Sequence, residues 1–127
     1  MFPNVRVEVT GPGVVTVHLS GDIDYSSRDC LRETLLEARL AGARQIIVDL
    51  SAVTFLDSEG LAVILFAHQR MRSSGGSLVL RHANPAVLRL LDVTNIADVI
   101  EVDDPGPRRP ALSRAGSGAY AGSYTRR

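Results

Sequence analysis

Val53-Thr54-Phe55-Leu56-Asp57-Ser58-Glu59-Gly60-Leu61-Ala62-Val63-Ile64-Leu65-Phe66-Ala67 is the stretch whose reading decides the fold. An apolar run of strand character stops at Asp57. A hydroxyl, an acid and a glycine follow, and Leu61 to Ala67 then reads as a helix. Ser58 therefore stands where a strand ends and a helix begins. A hydroxyl at that place can cap the helix. It can equally be presented at a site that tolerates phosphate, because free N–H groups and the helix dipole point toward it.

The pattern extends in both directions. Val5-Arg6-Val7-Glu8-Val9 alternates as a half-buried strand does, Gly11-Pro12-Gly13 signals a turn, and Val14 to Leu19 alternates again. The two runs read as a β-hairpin, closed at its far end by Gly21-Asp22-Ile23-Asp24. Ser26 or Ser27 is the expected N-cap of a first helix, with Leu31, Leu35 and Ala38 as its apolar stripe and Gly42 just past its end. Gln45 to Leu50 is a short apolar strand of the sort buried in a parallel sheet. After the decisive stretch come a strand at Ser77 to Leu80, a helix opened by Asn84-Pro85, and a last strand at Val99 to Val102. The expected order is β-β-α-β-α-β-α-β. It implies an α/β fold: a mixed, mostly parallel sheet with an N-terminal antiparallel hairpin and helices packed on it. Such sheets place their functional sites at strand ends, where Asp24 and Ser58 fall.

The 127 residues suit one domain, expected over residues 1–104. Residues 105–127, rich in Pro, Gly, Ser, Ala and Arg, read as a disordered basic tail. Net charge is zero but unevenly distributed: all 14 acids and nine arginines lie in residues 1–104, giving −5, while the tail has five arginines and no acid, giving +5. An acidic domain is not built to bind nucleic acid directly. The single Cys30 excludes a disulfide framework and a cysteine-based metal cluster, and suits a reducing, cytoplasmic compartment. The longest apolar stretch, Leu61 to Ala67, falls far short of the roughly 20 residues that a membrane span requires, and Met1-Phe2-Pro3-Asn4 is unlike a signal peptide.

Enzyme readings fare poorly. A nucleophile elbow needs glycine two positions on either side of the serine, and Leu56 precedes Ser58 where one would stand. His18, His68 and His82 have no recognisable spacing to Ser58. No phosphate-cradling glycine loop or metal-ligand spacing is present, so no cofactor and no metal is expected. Asp49, Asp22 and Asp24 could hold a magnesium ion as in a phospho-accepting receiver domain, but that family also uses a lysine, and this chain has none.

For Ser58 itself two roles stand side by side: N-cap, contributing about 1 kcal/mol, or exposed functional hydroxyl. Asp57 is a second candidate cap, and if it holds the helix, Ser58 is free to point outward. Gly60 in the first turn costs roughly 1 kcal/mol relative to Ala, which makes sense if something approaches the backbone closely.

Phe55-Leu56-Asp57-Ser58-Glu59-Gly60-Leu61, with Gly21-Asp22-Ile23-Asp24 upstream, Ile46-Ile47-Val48-Asp49-Leu50-Ser51 between and Asn84-Pro85-Ala86-Val87 downstream, resembles the STAS domain of bacterial anti-sigma factor antagonists. The resemblance covers roughly residues 5–103. It implies a regulatory protein rather than an enzyme. The unphosphorylated form would bind an anti-sigma factor that is also a serine kinase. Phosphorylation of the family's acceptor serine, which falls on Ser58, would release that partner, and a serine phosphatase would reset the switch. The family's acid near the acceptor falls on Asp24. Asp22, Asp24, Asp57, Glu59 and Gly60 are the expected partner-binding residues. Two features depart from the family pattern: Glu59 replaces a residue that is often small, and residues 105–127 supply no closing amphipathic helix. The alternative is a STAS scaffold module that is never phosphorylated and serves another signalling or transport assembly.

Overall fold

Five strands and three α-helices alternate in the computed structural model, which describes residues 4–103. The expected tail and the domain boundary before it lie outside those residues. Strands β1 (Val5–Gly11) and β2 (Val14–Ile23) form the hairpin, followed by α1 (Tyr25–Leu40), β3 (Gln45–Leu56), α2 (Ser58–Ser73), β4 (Ser77–Arg81) and α3 (Pro85–Val93). A 3-10 turn at Ile96–Asp98 leads to β5 (Glu101–Asp103), which starts two residues later than the apolar pattern implies because the chain is still turning at Val99.

The sheet order is β1-β2-β3-β4-β5, with β1 antiparallel to β2 and every other pair parallel. Each parallel crossover steps in the same direction across the sheet. With right-handed crossovers, that order puts α1, α2 and α3 on one face and leaves the other without helices. The core lies between the layers. Val17, Leu19 and Ile23 from β2, Ile46, Val48, Leu50 and Val53 from β3, and Leu78 and Leu80 from β4 meet Leu31 and Leu35 of α1, Leu61, Ile64 and Met71 of α2, and Leu91 of α3. Fully burying one such aliphatic side chain contributes about 1.5–3 kcal/mol. On the opposite face, alternation places Thr16 and His18 of β2 beside Ile47 and Asp49 of β3.

Local signals set the ends of these elements. Gly42, at φ 98°, occupies the left-handed position just past α1 that an L side chain avoids. Asn84 caps α3 by accepting from the Val87 N–H at 2.8 Å, with Pro85 in the first turn. The Asn84 amide also donates to the Val53 carbonyl at 2.8 Å, tying α3 to β3.

Candidate functional site

The ends of β2 and β3 lie side by side: Ile23 pairs with Leu56, and the Asp57 N–H donates to the Ile23 carbonyl at 3.2 Å. Each strand turns directly into a helix. The N-cap of α1 is Asp24, not Ser26 or Ser27, because strand pairing holds the chain extended only through Ile23 and the helix begins at Tyr25. The Asp24 carboxylate accepts from the Ser26 hydroxyl at 2.7 Å and from the Ser26 N–H at 3.0 Å. These bonds, the hydroxyl one foremost, hold its carboxyl below the usual carboxylate range.

The N-cap of α2 is Asp57, whose carboxylate accepts from the Gly60 N–H at 2.9 Å. Asp57 therefore fills the capping role, and Ser58 is left exposed with no side-chain hydrogen bond among the described residues. Gly60 has a different role from the surface one expected of it. It is buried, and a Cβ there would stand 2.9 Å from both Ile23 Cγ2 and Leu56 Cδ1 and 3.2 Å from the Ile23 carbonyl oxygen. The close approach that its bare backbone permits is made by the protein's own strand ends.

The acids expected at the site all cluster at this end of the sheet, but none stands alone. Asp22 accepts from the Thr54 hydroxyl at 2.8 Å. Glu59 accepts from Arg28 Nη1 at 2.7 Å, joining α2 to the first turns of α1 across 31 residues of sequence. The Arg28 guanidinium also lies over the Tyr25 ring, 4.6 Å from its centroid, and the Glu59 hydrogen bond raises its already high pKa further. Arg28 is the site residue that sequence reading passed over. No spacing rule links positions so far apart; only the Ile23–Leu56 register brings them together. Two large apolar groups, Tyr25 and Phe55, are exposed at the same end.

The acids considered for a receiver-like site are separated. Because β3 runs on to Leu56, Asp49 sits in mid-strand on the helix-free face, where His18 Nδ1 lies 2.7 Å from it and His18 Nε2 lies 2.9 Å from Glu8. Burial alone would push the Asp49 carboxyl up, but hydrogen bonds from Ser51 and His18 outweigh it and hold it low. Asp22 and Asp24 lie together farther along, at the junction of β2 and α1, and no group of three or more metal-ligating side chains forms among the described residues. His68, on the core side of α2, is buried with neither ring nitrogen hydrogen-bonded, and burial lowers its pKa, with Arg72 adding to the effect. Cys30 is likewise buried, which raises its thiol pKa. No described helix is long and apolar enough to cross a membrane.

The model of the STAS domain matches residues 5–106. The chain is 33% identical over 103 residues to the anti-sigma F factor antagonist of Paenibacillus polymyxa, covering 80% of this chain and 88% of that protein. It is 32% identical over 100 residues to the anti-sigma-B factor antagonist of Bacillus subtilis strain 168, covering 78% and 91%. Its fold matches the anti-sigma factor antagonist SpoIIAA in the unphosphorylated form with a TM-score of 0.71 at 21% identity, covering 79% of this chain and 86% of that one. The match to the phosphorylated form of the Bacillus cell fate determinant SpoIIAA has a TM-score of 0.66 at 20% identity, covering 79% and 89%.

Proposed function

The chain belongs to the STAS domain family, and from that premise we propose that it is an anti-sigma factor antagonist whose partner binding is switched off by phosphorylation of Ser58. One observation carries the switch: Asp57 caps α2, so the Ser58 hydroxyl is exposed and unbonded at the N-terminus of a long helix. The names of the relatives support the role. In this reading the protein is the substrate of a serine kinase that is also its anti-sigma partner, it is reset by a serine phosphatase, and it acts in the cytoplasm. Residues 1–104 form the working domain.

The docking surface lies at the ends of β2 and β3. Tyr25 and Phe55 offer apolar contact area, and Asp22, Asp24 and Glu59 surround them with negative charge. A phosphate at Ser58 adds about −1.5 to −2 charges. The free N–H groups and dipole at the start of α2 accommodate that charge, so the fold survives. A partner already matched to an acidic surface meets more charge and more bulk at its centre. Gly60 contributes from beneath the surface, by letting α2 sit tight against Ile23 and Leu56.

Incubation with kinase-type anti-sigma factors and ATP, followed by site mapping by mass spectrometry, tests the assignment. A single phosphate on Ser58, absent from Ser58→Ala, is the expected result. Labelling that persists in Ser58→Ala overturns the acceptor. Absence of labelling with every candidate replaces the switch by the unphosphorylated scaffold. Ser58→Asp is expected to bind the partner at least about tenfold more weakly, a loss of roughly 1.4 kcal/mol; binding as tight as wild type removes the electrostatic account.

A further inference from the structure

We propose that Arg28 reads the phosphorylation state of Ser58 by exchanging its Glu59 partner for the phosphate, so that Glu59 acts as a built-in competitor. The inference rests on the phosphoacceptor reading above. Its basis is the arrangement around one guanidinium. Nη1 of Arg28 donates to Glu59 at 2.7 Å, and its face lies on Tyr25. Its Nε is buried and makes no hydrogen bond, though the Asp29 carboxylate is ion-paired with it at 3.5 Å. The side chain is only 27% exposed, so it is already fixed in place before any ligand arrives.

Ser58 and Glu59 are consecutive, with Cα atoms about 3.8 Å apart. In this proposal the arginine that spans from α1 to Glu59 turns to the phosphate one residue earlier, whose side chain leaves α2 on a neighbouring face. The phosphate carries about twice the charge of the carboxylate and three acceptor oxygens. Guanidinium binds phosphate through two parallel N–H bonds, and the Nη1–Nη2 edge, which Glu59 holds through Nη1, is the one the phosphate would take over. Exchange releases Glu59 to solvent, adding a free carboxylate to the docking surface at the moment the phosphate appears. The acid at position 59 thus has a use: it occupies Arg28 in the binding-competent state and keeps the guanidinium charge neutralised there.

Phosphoserine installed at position 58 by genetic encoding tests this without any kinase. The second pKa of that phosphate, read by 31P NMR, is expected to rise by about half a unit in Arg28→Gln and by less in Arg28→Lys, because a paired cation stabilises the dianion. The 13C shift of the Glu59 carboxyl group is expected to move on phosphorylation in wild type and to stay fixed in Arg28→Gln. Equal phosphate pKa values in wild type and Arg28→Gln, or a Glu59 signal indifferent to the phosphate, overturns the exchange. If Arg28→Gln lowers folding, the Arg28→Lys comparison and the wild-type Glu59 shift still decide. Failure of kinase labelling would remove the phosphoacceptor reading alone, while a labelled Ser58 with an unmoved Glu59 would remove Arg28 alone.

Discussion

Helices α1 and α2 begin in the same way and treat their serines in opposite ways. Each starts two residues past a member of the Ile23–Leu56 pair, and each is capped by the aspartate between. At α1 the cap consumes the hydroxyl: Asp24 binds both the N–H and the side chain of Ser26, and the buried Ser27 donates to the Asp22 carbonyl at 3.3 Å. At α2 the cap reaches to the Gly60 N–H, and Ser58 in the first helical position keeps its hydroxyl in solvent. Dipole and cap chemistry are shared, so neither distinguishes the two. What differs is whether the serine is already bonded, and that follows from its offset from the aspartate: two and three residues at α1, one at α2.

The sharpest way to break this comparison is to phosphorylate both helix starts. With a competent kinase, Ser58→Ala is expected to lose all incorporated phosphate by mass spectrometry, whereas Ser26→Ala retains wild-type stoichiometry. The next largest effect concerns the third helical position. Gly60→Ala is expected to lower stability by about 1–3 kcal/mol, since overpacking against Ile23 and Leu56 exceeds the gain in helix propensity. Ser27→Ala, at the matching place in α1, loses one long hydrogen bond and about 1 kcal/mol or less. Urea denaturation of both variants checks the pair.

The helices also differ in what they bury: α1 buries Leu35 and Ala38 at places along its stripe, and α2 buries His68. The folded state resists protonating His68, while the unfolded chain takes up that proton near pH 6.5. Protons therefore favour unfolding, and stability is lost as pH falls below 6.5 toward the depressed folded value. His68→Leu is expected to flatten that loss by up to about 1.4 kcal/mol per pH unit, with no change in slope above pH 7. Denaturation midpoints at several pH values measure it. The smallest expected contrast is between the caps themselves: Asp24→Ala and Asp57→Ala each cost about 1 kcal/mol. A much larger loss at one of them would show that the two starts are not equivalent after all.

Most of the architecture was legible because strands and helices carry different periods. The hairpin, the alternating βα order and the Asn84-Pro85 helix start follow from local pattern, as does Asp57 as a candidate cap. The first cap was misplaced because Asp24, Ser26 and Ser27 are three chemically adequate caps close together, and only the pairing of Ile23 with Leu56 selects among them. Gly60 was legible as a close approach but not as an approach by Ile23.

The sequence by itself determined the class of fold, the family and the serine at a strand-to-helix junction, because each of these rests on residues close together in the chain. Tertiary structure decided which acid caps which helix, what Gly60 makes room for and that Arg28 reaches Glu59. The caps are local bonds selected by the pairing of Ile23 with Leu56, and the Arg28–Glu59 bond joins residues 31 apart; all depend on the register of two neighbouring strands, which no local pattern encodes.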